Sequence, residues 1–272
     1  MRRIVHISDL HFGRIHLPTL EPLVAAIHES QPHLVVNSGD FTQRARRSQF
    51  EEAALFMKKL PLPQVVVPGN HDIPFYKFFA RFFWPLTNYR RFITDELFPF
   101  YHDEEIAVMG VSTARSLTTK NGRINAEQVA RVREKMCGLD GIVKILVTHH
   151  PFDLPENLAE THLVGRAEMA MSALAECKVD LFLAGHLHVT HFGRTVERYK
   201  AHGYNSLFIQ AGTATSTRQR AEPNSFNILD VDRSSLRVQS MVWDAEKMKF
   251  MNVLEKQFQS RAEGWFESSE GE

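Results

Sequence analysis

The chain has almost no cysteine, no excess charge of either sign and no long apolar run, and each lack removes a class of protein. Of 272 residues only Cys137 and Cys177 are cysteines. They stand far apart and form no C-x-x-C pair, so neither a disulfide framework nor a thiolate metal site is indicated. A reducing compartment, the cytoplasm, is the simplest setting. Thirty-two basic side chains against thirty-two acidic ones leave a formal charge of zero, which removes the broad positive field that holds long nucleic acid by its phosphates. A small phosphate ligand is not removed. After Met1-Arg2-Arg3 the apolar stretch runs only from Ile4 to Ile7 before Ser8 and Asp9, so it reads as a first strand rather than a leader. The later "FYKFFARFFWPL" is interrupted by Lys77, Arg81 and Pro85 and is too short to span a bilayer.

What is present is a series of short apolar runs rich in β-formers: "RIVHIS", "HLVVNS", "QVVVP", "IAVMGVS", "IVKILVT", "LFLAG", "LFIQAG", "SFNILDV" and "LRVQSMVW". Helical spacing lies between the early ones. Leu20, Leu23, Val24 and Ile27 share one helix face, as do Phe50, Ala53, Ala54 and Met57 after a Ser48–Glu51 capping box. Asn125 with Gln128 caps another helix through Val129, Val132 and Met136. From Phe208 onward strands follow one another without helices, which predicts antiparallel pairing. The fold class expected is α/β, one layered domain over residues 1–261. Within it, residues 74–105 are dense in aromatics (Phe75, Tyr76, Phe78, Phe79, Phe82, Phe83, Trp84, Tyr89) and read as a helical insertion or lid, or as a surface for another subunit. Residues 262–272, acidic and rich in small residues, read as a frayed tail.

One anomaly recurs five times: an apolar run stops abruptly on metal-type donors. "HISDLHFG" ends on Asp9 and His11, "VVNSGDFT" on Asp40, "VVPGNHD" on Asn70, His71 and Asp72, "ILVTHHP" on His149 and His150, and "FLAGHLHVTH" on His186 and His188. Ligands of α/β sheets bind at the carboxyl ends of the strands, so the five clusters converge on one edge. Carboxylate, imidazole and one amide oxygen, without thiolate, suit divalent Mn, Fe or Zn better than calcium. Asp-x-His and His-x-His set two donors on the same side of the chain. Asp40, with two oxygens, is able to bridge two ions. Gly39, Gly69 and Gly185 each precede a donor and leave the backbone room to turn.

Together "D-L-H", "G-D", "G-N-H-D", "T-H-H-P" and "G-H-L-H", in this order over residues 9–188, resemble the signature of the calcineurin-like metallophosphoesterases. The resemblance implies an αββα sandwich with a two-metal centre at the strand ends. It assigns Asp9, His11, Asp40 and His188 to one metal and Asp40, Asn70, His149 and His186 to the other. No ligand position is missing. It also sets His71 beside the leaving group as a catalytic residue, with Asp72 orienting its ring. The segment "AGTATSTRQRAEPNSFNILDVD" and the insertion after "GNHD" resemble the bacterial class III cyclic-nucleotide phosphodiesterase branch.

The expected activity is phosphoester hydrolysis by a water bridging two cations, with a small phosphodiester such as a cyclic nucleotide as substrate. Phosphomonoesterase, nuclease and pyrophosphatase are alternatives within the fold. A non-catalytic binding scaffold is the alternative of a different class. His150 is expected either to support a ligand or to cap its strand. Arg14, Arg44, Arg46, Arg47 and Arg115, which follow strand ends, are available to a phosphate.

Overall fold

The computed structural model describes residues 1–75, 77–155, 158–199, 203–218 and 222–268. Tyr76, His202 and the last four positions of the expected tail lie outside the described residues. The chain runs through β1 (Arg2–Ile7), α1 (Leu20–Glu29), β2 (Leu34–Asn37), α2 (Arg47–Met57), β3 (Gln64–Val66), α3 (Phe78–Phe83), α4 (Thr87–Phe92), β4 (Phe100–His102) and β5 (Ile106–Gly110). It continues through α5 (Ala126–Met136), β6 (Val143–Val147), α6 (Ala167–Glu176), β7 (Leu181–Ala184), β8 (His191–Arg194), α7 (Thr195–Arg198) and β9 (Leu207–Gln210). The last strands are β10 (Ser225–Val231), β11 (Ser235–Asp244), β12 (Lys249–Arg261) and β13 (Gly264–Glu267).

Two mixed sheets result, ordered β13-β12-β11-β10-β1-β2-β3 and β4-β5-β6-β7-β9-β8. Between them lies a dry layer in which Ile4, Val36, Val65 and Leu229 of one sheet share a core with Val108, Ile145, Leu183 and Ile209 of the other. The outer face of the first sheet packs Val5, Ile7 and Val35 on Leu23 and Ile27 of α1 and Phe50 of α2. The outer face of the second packs Leu146 and Phe182 on Val132 of α5 and Leu174 of α6. This is the αββα sandwich. Both faces of the central strands are covered, which is why their sequences read as unbroken apolar runs instead of alternating. β1, β2 and β3 are parallel, as are β5, β6, β7 and β9. Their carboxyl ends therefore meet at one edge.

Several local expectations change. α2 is capped not by Ser48 but by Gln49, whose Oε1 accepts from the main-chain N–H of Arg44 at 2.9 Å and of Arg46 at 3.4 Å, while Glu51 pairs with Arg47 at 2.8 Å. The Asn125–Gln128 box at α5 forms in both directions, at 2.9 Å each way. β10 to β13 pair antiparallel, but β9 joins the other sheet parallel to β7. Residues 264–267 of the expected tail form β13, where Trp265 is buried and its Nε1–H donates to Asp180 Oδ1 at 2.7 Å. Cys137 and Cys177 are joined in a disulfide. They cap the ends of α5 and α6, two helices that lie side by side on one sheet, a proximity that sequence separation does not reveal.

Residues 74–105 form α3, α4 and the edge strand β4. α4 turns inward, with Tyr89 fully buried 5.8 Å from the Phe41 ring and its hydroxyl donating to the Val66 carbonyl at 3.2 Å. α3 leaves Phe78, Phe79, Phe82, Phe83 and Trp84 exposed.

Candidate metal centre

Each donor sits where a parallel strand gives out. After β1 the chain enters the left-handed region at Asp9 (φ 54°) and His11 (φ 52°), after β2 at Asp40 (φ 56°), and after β7 at His186 (φ 72°) and His188 (φ 61°). Such a conformation costs a non-glycine residue roughly 1–2 kcal/mol and clusters at functional sites. Main-chain bonds hold it in place: Asp9 N–H donates to Gly39 O and His11 N–H to Asp40 O, both at 2.9 Å. Gly69 is required for a different reason, since a Cβ there would fall 2.1 Å from Asp40 Oδ1.

The donor atoms form two sets. In the first, Asp9 Oδ1 lies 3.1 Å from His188 Nε2 and 3.4 Å from His11 Nε2, and the two Nε2 atoms are 3.1 Å apart. In the second, Asn70 Oδ1 lies 3.1 Å from both His149 Nε2 and His186 Nδ1. Asp40 Oδ2 joins them, 3.7 Å from His11 Nε2 and 3.4 Å from His149 Nε2. All seven side chains are buried. The rings are oriented from behind: His149 Nδ1–H donates to Ser38 O at 2.8 Å and His188 Nδ1–H to Arg218 O at 2.9 Å, which turns both Nε2 lone pairs inward. Asn70 gives its amide N–H to Thr119 O at 3.0 Å and keeps its oxygen for the site.

These residues fit two divalent cations. Asp9 Oδ1 is buried without a hydrogen-bond donor, a costly arrangement for an anion unless a cation meets it. Facing imidazole lone pairs have the same requirement. Burial works against ionisation of Asp9 and Asp40, yet the charge on His188 and His149 holds both carboxyls well below the usual range. The carboxylates in turn raise both imidazoles against burial, His149 to about 9; a bound cation would take the place of those protons. His11 is pushed down to about 4 by burial, so its nitrogen is free of a proton and able to ligate.

His71 stands at the rim, its ring 4.9 Å from that of His11 and its main-chain N–H donating to Asp40 Oδ1 at 2.8 Å. The expected contact with Asp72 is absent. Asp72 instead accepts from the main-chain N–H groups of Gly69 (2.9 Å), Phe41 (3.2 Å) and Thr42 (2.9 Å) and from Thr42 Oγ1 (3.0 Å). Burial, then the charge of Asp40, raises its carboxyl to about 7 despite those bonds. The partner of His71 Nδ1 is the Gln43 carbonyl at 2.9 Å. That fixes the proton on Nδ1 and leaves Nε2 to accept from Arg218 Nη1 at 2.8 Å.

Arg218 is the residue that sequence reasoning missed. It lies thirty positions beyond His188 in a polar loop, and only the "TATSTR" run hinted at it. The same loop grips the first ligand turn, Thr213 Oγ1 donating to Asp9 O and Thr215 Oγ1 to Leu10 O, both at 2.7 Å. His150 lies against the second donor set, its ring 4.6 Å from that of His186, but both its nitrogens are engaged elsewhere: Nδ1 accepts from Thr113 Oγ1 and Nε2–H donates to Lys120 O, each at 2.8 Å. Burial brings it to about 3, so it is a neutral brace for the 113–120 loop.

The calcineurin-like phosphoesterase model matches residues 2–190. Among solved structures, a purple acid phosphatase from yellow lupin seeds superposes with TM-score 0.72 at 12% identity, over 92% of this chain and 52% of that one. This chain therefore spans about half the length of the lupin phosphatase. PhoD superposes with TM-score 0.74 at 8% identity, over 100% and 72%. Vps29 of Chaetomium thermophilum gives 0.50 at 13% identity, over 95% and 99%. At these identities the likeness is one of fold. No curated protein sequence matches.

Proposed function

The chain belongs to the calcineurin-like phosphoesterase family, and from that premise we propose that it hydrolyses small phosphodiesters, cyclic nucleotides among them. The observation that carries the reading is the pair of donor sets sharing Asp40, with His71 Nε2 and the Arg218 guanidinium at their rim. Asp9, His11, Asp40 and His188 would hold one divalent cation and Asp40, Asn70, His149 and His186 the other. When bound, such a pair of Mn, Fe or Zn ions supplies Lewis-acid polarisation of the phosphate and an acidified water.

The protein's own groups do the rest. Arg218 carries a fork of donors suited to phosphate oxygens. Once it turns from His71 to the phosphate, Nε2 is open to receive a proton from solvent while the Gln43 carbonyl keeps the one on Nδ1. The resulting imidazolium gives the Nε2 proton to the departing alkoxide. Asp72 acts one step back, holding the main chain of residues 41, 42 and 69 on which Asp40 and His71 are mounted. The preference for a diester rests on the 211–232 segment, whose sequence resembles the cyclic-nucleotide branch and which contributes Arg218. A pure scaffold, as an alternative, leaves a complete buried donor set without a purpose.

The test uses Mn-loaded protein with an aryl diester, an aryl monoester and cyclic nucleotides. Diesters turn over faster than the monoester, and Asp40→Asn brings every substrate to background with fewer than two metals retained. Turnover by Asp40→Asn after exhaustive chelation would falsify the two-metal reading. A faster monoester overturns only the diester assignment.

A further inference from the structure

The five exposed aromatics of the α3 region belong neither to the core nor to the metal centre. Phe79 is 72%, Phe78 66%, Phe83 65% and Trp84 65% exposed. Their ring contacts run to one another: Phe78 to Phe82 at 4.7 Å, Phe79 stacked on Phe83 at 6.4 Å, Phe83 to Trp84 at 5.8 Å. A contiguous apolar patch of this kind marks a contact surface. The helix that carries the cluster is tied to the fold on its inner side. Arg81, on the inner side of the same helix, is buried and donates to the carbonyls of Ser116 at 2.6 Å, Pro74 at 3.3 Å and Thr118. The next carbonyl, of Thr119, receives the amide of Asn70. The patch is thus tied to the rim of the metal centre through one short loop.

Charge decides what covers it. From Ile73 to Thr94 there is no Asp or Glu, whereas Lys77, Arg90 and Arg91 are all exposed. In a chain whose total charge is zero, this stretch is net positive up to the exposed Asp95 and Glu96 that follow it. A second copy is disfavoured, because a two-fold interface would set these cations against their own counterparts. An anionic bilayer surface fits both halves of the pattern. Aromatic rings settle at the headgroup level, and flanking Lys and Arg are drawn to acidic lipids.

We propose that the α3 face docks on anionic lipid membranes, with Phe78, Phe79, Phe82, Phe83 and Trp84 entering the interface and Lys77, Arg90 and Arg91 meeting lipid phosphates or carboxylates. The protein lies on the membrane there, and its metal centre opens beside the lipid surface. This does not depend on the hydrolytic reading, since docking uses none of the metal donors.

The chain supplies its own probe. Of its three tryptophans, Trp243 is 6% and Trp265 1% exposed, so a change of emission on docking reports Trp84. The full-length protein is mixed with vesicles of phosphatidylcholine alone or of phosphatidylcholine with phosphatidylserine. The expected result is co-sedimentation with the anionic vesicles only, weakened by salt, with a blue shift and quenching by brominated acyl chains. Phe79→Ser and Phe83→Ser each lower the partition on the order of tenfold. The triple change Lys77→Glu, Arg90→Glu, Arg91→Glu abolishes it. Both sets of variants keep the wild-type melting temperature and the wild-type hydrolysis of a soluble aryl ester. Folded wild-type protein that ignores anionic vesicles at low salt overturns the proposal. So does a blue shift that grows with protein concentration in the absence of lipid and accompanies dimerisation, which assigns the face to a second copy.

Discussion

Two neighbouring regions of this molecule break the rule of apolar inside and polar outside in opposite directions. The strand-end loops bury Asp9, His11, Asp40, Asn70, His149, His186 and His188, whereas α3, which begins six residues after Asp72, exposes a row of aromatics. Either arrangement is unfavourable for the isolated chain: one leaves an anion without a donor, the other leaves rings in water. Each becomes favourable only when something outside the chain arrives. Arg81 and the 116–119 loop join the two exceptions, so whatever meets one would lie next to what meets the other.

Variants that separate the two regions sharpen the contrast. The largest effect is expected at His71, where replacement by Ala keeps both metals but slows poor leaving groups by about 10²- to 10⁴-fold. Nitrophenolate, which departs without a proton, should lose much less. Equal losses for good and poor leaving groups would leave His71 no role as an acid. Arg218→Ala comes next, lowering kcat/KM by about 10- to 100-fold, the range of a lost charge-assisted bond. Metal content stays unchanged, because His188 is held by the Arg218 main-chain carbonyl and not by its side chain. Arg218→Lys recovers part of the loss, and a variant that sheds metal would show the residue to be a strut only. The smallest effects are on stability. Tyr89→Phe removes the bond to the Val66 carbonyl and costs about 1 kcal/mol, while Phe79→Ser stays within about 0.5 kcal/mol. Denaturant titrations giving Phe79→Ser the larger loss would mean that α3 packs on the core.

The legible part of this site is the part where one local rule fails next to another. An apolar run that stops on Asp-Leu-His or Gly-His-Leu-His is visible because strand propensity and donor chemistry meet within a few residues, and five such stops order themselves along one edge. The layered α/β class was legible for the same reason. Gln43 could not be seen, since it acts through its carbonyl, which every residue type has. Three of the four partners of Asp72 are likewise main-chain N–H groups. Arg218 stands in a polar loop well past the end of β9, so only the "TATSTR" run around it sets it apart from the other arginines. β12 escaped notice because most of its residues face solvent, with Glu255, Lys256 and Gln257 in its middle, and β13 because four residues carry little pattern.

The placement of β10 bears on how the protein comes into being during synthesis. β1, which delivers Asp9 and His11, lies between β2 and β10, and β10 begins only at Ser225. All seven of these side chains have been added by residue 188, yet β1 still has an open side at that point. A nascent chain thus carries all seven of these side chains before it has the framework to arrange them. Domains complete themselves as units during translation, so the centre is completed only after β10 has joined β1. An mRNA truncated between the last histidine pair and β10 would yield a product rich in ligands and exposed strand edge, which quality control must remove.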